Sequence, residues 1–337
     1  MSYRSTVLRQ PQSLADTYAS ARDELAGMDL KPLDRPLIGV TGIGASFAAA
    51  VVVTAELQAQ GRRAFAIRSV DMAAGHDLCD TLVGLSHRGR SVETVAALQK
   101  LPQAARLAIT NDPESPLAQA ANLHLKLANG EDATPSSTGY TATLMAAGMA
   151  FEKLLGQADS FGEVPALTDS VLAAAALKMK RLGQLMPARR AIDCVGAGAA
   201  LGTADGASLL IREAARIAAS AYDTRHYLHG PMESMDANTA VVLFGADREV
   251  ELALHLERIG CPALLVTTAD GVEDGELLTV VKVPKVKNLI AQGIIDILVA
   301  QLLAAELSDA VGLTDTKFRY RMADTKVPQT ETTAAPL

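Results

Sequence analysis

The sequence predicts an α/β protein built from two doubly wound parallel sheets, each flanked by helices. Three observations carry that prediction. The chain has 337 residues, more than the roughly 100–200 of one ordinary domain. Short, continuously apolar runs alternate along it with segments of helical period, and strands that are apolar on both faces belong to parallel sheets covered by helices. Four features also recur in the same order at nearly one spacing, which marks an internal duplication. Leu37–Ser46 resembles Ala191–Ala200, with 154 positions separating Gly42 from Gly196. Leu107–Asn111 matches Leu264–Thr268 at a spacing of 157. Leu123–Leu127 and the helical stretch Thr141–Leu155 have counterparts in Val280–Pro284 and Asn288–Leu307.

In order along the chain, residues 1–34 read as an N-terminal helical segment. The first domain spans 35–165. Its strands are expected at Leu37–Thr41, Ala64–Ser69, Thr81–Leu85, Ala105–Thr110 and Leu123–Leu127, with helices between them at Phe47–Gln60, Ser91–Gln99 and Pro116–Ala121. The stretch Asp159–Pro165 breaks the pattern and places a boundary within 157–176. The second domain spans 166–311, with strands expected at Ala191–Val195, Thr239–Phe244, Ala263–Thr267 and Leu278–Val283. A polar tail, 312–337, follows. Leu289–Leu307 is the longest apolar stretch, but it carries Gln292, Asp296, Gln301 and Glu306 and so predicts a buried helix rather than a membrane span.

Composition narrows the function. Aromatic residues are 4%, with no Trp, which argues against a stacking platform for single-stranded nucleic acid. The net charge of −7 implies no broad basic face, so no nucleic-acid partner is expected. Cys79, Cys194 and Cys261 are odd in number and far apart, as suits a reducing compartment, and they form no metal or redox spacing. The N-terminus has no secretory apolar region. The expectation is a cytoplasmic protein without membrane association.

In open α/β sheets, ligands bind beyond the carboxyl ends of the strands, so those loops hold the candidate residues. The turn from Gly42 to Ser46 opens a helix and offers backbone N–H groups and a hydroxyl. It departs from a dinucleotide fingerprint, because Phe47 stands where close helix–strand packing needs a small residue. The loop Ser86–Ser91 combines hydroxyls, Gly89, Arg88 and Arg90 ahead of a helix. That combination suits phosphate or another oxyanion; the plain alternative is a loop whose Ser91 caps the helix. The second copy has no serines there, which suggests that one copy was kept for binding. Ser136 lies among further hydroxyls before the next helix. Glu213 and Arg216, three apart on a helix, read by spacing as a solvated ion pair. His226 and His229 flank a Gly-Pro turn with no Cys or acidic cluster to complete a metal site, so a general acid/base histidine fits better. Lys326 alone reads as a solvated lysine.

As an ordered set, these residues resemble the sugar isomerase (SIS) family. The set comprises the two-copy layout, Gly42 to Ser46, Ser86 to Thr94, Ala108 to Asn111, and above all Glu213 followed sixteen residues later by His229-Gly-Pro. The resemblance covers about residues 35–327 and is nearest to the isomerase half of glucosamine-6-phosphate synthase. It implies two tandem SIS domains, each a doubly wound, flavodoxin-like parallel sheet. It implies substrate contacts from Ser46, Ser86, His87, Ser91 and Ser136. It also implies enolisation by Glu213, ring opening by His229 reaching into the neighbouring subunit of a homodimer, and a C-terminal Lys326 near the sugar carbonyl. Arg88 replaces a family loop serine, so it is expected to grip phosphate or a different terminal anion such as a sulfonate. Leu210 replaces a lysine one turn before the base. The resemblance implies no cofactor and no metal. Ser2 follows Met1 with no further domain ahead of Leu37, so glutamine-dependent synthesis is not expected of this chain alone. The expectation is aldose–ketose isomerisation of a phosphosugar or similar anionic sugar. The alternatives are an amino-sugar-phosphate deaminase or fructosamine-phosphate deglycase, a sulfosugar isomerase, or a non-catalytic sugar-phosphate sensor.

Overall fold

Ser2 accepts a hydrogen bond from the backbone N–H of Ser5 (3.2 Å) and starts helix α1, Tyr3–Leu8. Helix α2, Gln10–Gly27, follows and turns Leu14, Thr17, Ala21 and Leu25 inward at helical spacing. The computed structural model describes residues 2–72, 77–313, 317–320 and 322–328. Met1 of the expected helical segment, and positions 314–316, 321 and 329–337 of the expected tail, lie outside the described residues.

The first half then alternates strand and helix: β1 Leu37–Gly42, α3 Ala45–Ala59, β2 Arg63–Arg68, β3 Thr81–Leu85, α4 Val92–Lys100, β4 Ala105–Thr110, α5 Pro116–Gln119, β5 Leu123–Lys126 and α6 Thr138–Leu155. Helix α7, Val164–Leu185, leads into the second half. There the order is β6 Ile192–Gly196, α8 Ala199–Leu210, β7 Ala219–Tyr222, α9 Thr224–Tyr227, β8 Ala240–Phe244, α10 Arg248–Arg258, β9 Ala263–Thr267, β10 Leu278–Lys282 and α11 Leu289–Ala310. Each half forms one five-stranded sheet with every pairing parallel. The strand orders are β2-β1-β3-β4-β5 and β10-β9-β8-β6-β7. Counted from its own first strand, the second sheet repeats the 2-1-3-4-5 order of the first. The apolar runs explain this: every residue of β3, β6, β8 and β9 is buried, as two-sided cover by helices requires.

Two predicted features change. The second sheet has a fifth strand, β7, that periodicity did not reveal. It is an edge strand paired only with β6, and its exposed Ser220 interrupts any apolar run. Helix α7 begins at Val164, inside the stretch expected to be a break, because Pro165 sits in its first turn, where a missing N–H costs nothing. The long apolar stretch is α11 as predicted, and most of it is buried against the rest of the chain. Asn288 starts it by accepting from the N–H groups of Ile290 (2.9 Å) and Ala291 (3.2 Å).

The halves share one core. Helix α3 packs on α8, and α11 packs on α7, α8 and α6, so a single apolar cluster runs between the inner faces of both sheets. At Gly202 the approach of α8 to α3 is close: a Cβ there would stand 2.6 Å from the Ala48 carbonyl oxygen and from Val52. Both sheets open toward their first helices through left-handed glycines, Gly44 and Gly198, each at φ 59°. No side chain enters that region cheaply, and the same device at the same place in each half is what the repeated glycine motif encodes.

Candidate active site

The carboxyl ends of β1 and β3, the N-terminal end of α6 and the end of α8 converge on two adjoining cavities. One, of about 250 Å³, is lined by Ser46, Ser86, His87, Arg88, Ser91, Ser136, Thr134, Tyr140 and Lys326, among others. The second, of about 340 Å³, is lined by Glu93, Ser136, Tyr140, Leu210, Glu213, Phe318, Thr325 and Lys326, among others. All six predicted contact residues therefore border the first cavity. Glu213 and Lys326 border the second, and Ser136, Tyr140, Phe318 and Lys326 border both.

Ser46 lies in the first turn of α3, behind the Gly44 cap. Ser91 precedes α4, but its side chain makes no cap hydrogen bond. Its Oγ lies 3.3 Å from Ser86 Oγ and accepts from Lys326 Nζ at 3.0 Å. The plain capping reading of Ser91 is thus corrected: the hydroxyl faces the cavity. His87 Nε2 lies 3.2 Å from Asn129 Oδ1 and 3.2 Å from Asn111 Nδ2, and burial lowers its pKa below the usual imidazole value. Arg88 is exposed at the cavity rim. Arg90 has a different task from its neighbour. Its Nε donates to the Val327 carbonyl at 2.8 Å, a second guanidinium N–H donates to the same oxygen, and Val327 N–H donates back to the Arg90 carbonyl at 2.9 Å. Ser91 and Lys326 form an antiparallel bridge beside them. The C-terminal strap is thereby laid across the β3–α4 loop, and Lys326 reaches the site because Arg90 holds it there. Lys326 stays exposed to solvent, as its sequence setting predicts, and its ammonium reaches Ser91 at the cavity edge. Loss of solvent, with Arg88 and Arg90 adding repulsion, lowers the Lys326 pKa.

Glu213 falls where α8 does not end regularly. Ile211–Ala215 forms a single π-helical turn, closed by Arg216 in a left-handed conformation, φ 59°. The sequence predicted ordinary helix here. The wider turn sets Glu213 at the cavity wall, and π-turns of this kind gather at functional sites. Burial alone pushes its carboxyl up to about 7. The expected solvated carboxylate is therefore corrected: Glu213 is desolvated, and Arg216 donates to the Lys317 carbonyl at 3.3 Å.

Ser136 donates to Asp132 Oδ2 at 2.7 Å. The Asp132 carboxylate also accepts from Ser137 N–H (3.1 Å), Ser137 Oγ (3.0 Å) and Gly139 N–H (2.9 Å), so it caps α6 and fixes the hydroxyl wall. His229 is exposed and borders neither cavity within this chain.

The sequence did not single out Asp132 or Tyr140, and it placed Arg90 in the anion loop without its role in holding the strap. Asp132 had a signal, an acid just ahead of a helix. Tyr140 had none. Its phenol is buried, at 5% exposure, borders both cavities and has no hydrogen-bond partner among the described residues. Burial raises its pKa, so it stays a neutral donor. An unpaired buried donor facing a cavity is a costly group unless a ligand meets it. Among the described residues, no three His, Cys, Asp or Glu side chains gather as metal ligands.

Known proteins resemble this chain in sequence and fold. Residues 34–153 match the SIS domain. A curated relative, glutamine–fructose-6-phosphate aminotransferase (isomerizing) of Pyrobaculum aerophilum, is 25% identical over 322 residues, covering 88% of this chain and 53% of its own length. The chain spans about half the length of the curated relatives it matches. Among solved structures, tagatose-6-phosphate ketose/aldose isomerase from Escherichia coli superposes with a TM-score of 0.78 at 20% identity, covering 94% of this chain and 95% of that one. The C-terminal domain of glucosamine-fructose-6-phosphate aminotransferase from Francisella tularensis gives 0.76 at 16%, covering 92% and 96%. The first half of the chain, residues 34–153, thus carries the signature of the SIS domain family, and the whole chain has the fold of these solved structures.

Proposed function

We propose that this protein is an aldose–ketose isomerase acting on a phosphosugar or a sugar with a similar terminal anion. In this reading it is built from two tandem SIS domains and works as a cytoplasmic homodimer. The observation that carries the proposal is the position of Glu213: a half-buried carboxyl pushed up to about 7, in a cavity that adjoins one lined by serine hydroxyls and Arg88. A base of that strength suits removal of a proton from carbon next to a carbonyl at neutral pH.

The terminal anion would sit against Ser46, Ser86 and Ser91, at the start of α3 and α4, where helix N–H groups and hydroxyls favour negative charge. Arg88 would add charged donors from the rim. Glu213 would take the proton from C2 of the aldose and return it to C1 through a cis-enediol, and the reverse for the ketose. Lys326, with a lowered pKa, would stabilise the developing oxyanion or, as the free amine, form an imine. Tyr140 would donate to a sugar oxygen between the two ends. His229 of the neighbouring subunit would protonate the ring oxygen as the sugar opens, which fits its exposed position outside its own chain's cavities.

A thermal-shift screen over sugar phosphates, amino-sugar phosphates and sulfosugars, followed by turnover of whatever binds, tests the proposal. Stabilisation by a sugar phosphate, with interconversion of aldose and ketose, is expected. Binding confined to sulfosugars would move the anion to sulfonate. Release of an amine without interconversion would replace isomerase by deaminase or deglycase. Binding without any turnover would leave a sensor.

A further inference from the structure

A further cavity, of about 220 Å³, lies in the second half of the chain, beyond the carboxyl ends of β6, β8 and β9 and against α8 and α11. It is the counterpart of the serine-lined cavity. Ala45, Ser46 and Ala49 border the first, and Ala199, Ala200 and Thr203, each 154 positions later, border this one. The duplication has kept the hollow and changed its wall. Alanine stands in the place of Ser46, no serine or arginine lines the cavity among the described residues, and a carboxyl has been gained, Asp296 of α11. Two groups on this wall are buried without a full set of partners. Asp296 is 9% exposed. Its Oδ1 accepts from Gln292 Nε2 at 2.8 Å, while among the described residues its Oδ2 has no hydrogen bond and the carboxyl has no ion pair. Loss of solvent pushes this carboxyl up to about 7. Thr203 is fully buried, and its hydroxyl has no hydrogen-bond partner among the described residues. Gln292 is already committed, since its Oε1 accepts from Val286 N–H at 2.8 Å. Lys285, the one cation on the wall, is exposed to solvent.

A carboxyl and a hydroxyl in this state each carry a desolvation cost, which a ligand offsets by supplying the missing partner. The cavity exceeds the roughly 10–15 Å³ that one water needs, so it has room for a small organic molecule. An ammonium answers the carboxyl best, because it brings both a charge and N–H donors. We propose that this cavity is a second ligand site, for a small cationic molecule that carries a primary ammonium next to a hydroxyl, with the ammonium on Asp296 and the hydroxyl at Thr203. It shares no lining residue with the two cavities at Glu213 and the serine loops. The two halves of the duplication then serve opposite charges. The first offers hydroxyls and Arg88 to an anion, and the second offers a carboxylate to a cation.

Methyl nuclear magnetic resonance of the full chain, titrated with two matched probes, tests this. The probes are 2-aminopropane-1,3-diol and glycerol, which has a hydroxyl in place of the ammonium. The amine is expected to move the methyl signals of Val286 and Leu289, which line this cavity, and to leave that of Ile43, which lines the other two. It should bind about tenfold to a hundredfold tighter than glycerol, as for a charged hydrogen bond. Asp296→Asn should bring that ratio close to one. Thr203→Val keeps the side chain's shape and removes only an unpaired hydroxyl, so it should keep the fold and weaken the amine about threefold to tenfold. Equal affinity of the two probes, unmoved Val286 and Leu289 signals, or a ratio that survives Asp296→Asn would overturn the inference. If Asp296→Asn does not fold, Thr203→Val decides, and an unchanged affinity for the amine overturns it.

Discussion

Glu213 has a consequence that titration can read. Burial raises its carboxyl from 4.5 to about 7, so between those values the folded protein holds a proton that the unfolded chain releases. Unfolding free energy then falls as pH rises through that window. Glu213→Gln should remove this slope and stabilise the protein above pH 7 by about 1–3 kcal/mol, seen as a shift in denaturant midpoint. The same variant should lower kcat by about 10²–10⁴-fold. The wild-type rate should climb with pH through an apparent pKa near 7, as the base becomes ionised. A flat profile between pH 5 and 8 would assign the base to another group. Arg88 is a separate matter: its side chain is exposed at the cavity rim. Arg88→Ala should mainly raise KM, by about 1.5–3 kcal/mol of binding for a charged hydrogen bond, and an unchanged KM would direct it elsewhere. Neither residue could be weighed fully from spacing. Glu213 with Arg216 at i+3 reads as a surface pair, and only the π-helical turn, invisible to periodicity, sets the half-buried carboxyl at the cavity wall.

Among the elements, most strands of both sheets were legible from their apolar runs, while β7 was not, since it is only four residues long and exposed Ser220 interrupts it. Loops were legible as hydroxyl-rich turns, but their roles depended on what crosses them. The C-terminal strap is the clear case. Its residues carry no period, and its place is set by Arg90, whose guanidinium binds the Val327 carbonyl across 237 positions of sequence. Arg90→Ala should free residues 322–328, raising their amide exchange without changing that of α11, and should weaken ligand binding by about 1–2 kcal/mol through loss of the Lys326 position. Unaltered exchange in the strap would show that Ser91 and Lys326 hold it unaided. Tyr140, in the first turn of α6, illustrates the opposite limit: nothing in the sequence distinguishes a core tyrosine from one whose hydroxyl waits, unpaired, in a cavity.

For the whole molecule, the repeat spacing of 154–157 residues in the sequence corresponds to two sheets of the same strand order fused through α3, α8 and α11. The halves are locked by close helix approach, so Gly202→Val, driving a side chain into the Ala48 carbonyl and Val52, should cost about 1–3 kcal/mol by overpacking and lower the cooperativity between halves. The proposed sharing of His229 between subunits is testable by mixing: Glu213→Gln and His229→Asn proteins, each inactive, should regain part of their activity when co-refolded. The central claim remains proton transfer at the reacting end of a sugar by Glu213. Its most direct test is nuclear magnetic resonance of each sugar that binds, after incubation with the protein in deuterated water. Deuterium is expected at C1 or C2 with the wild type and none with Glu213→Gln. No deuterium in any bound sugar, or equal incorporation by the variant, would contradict it.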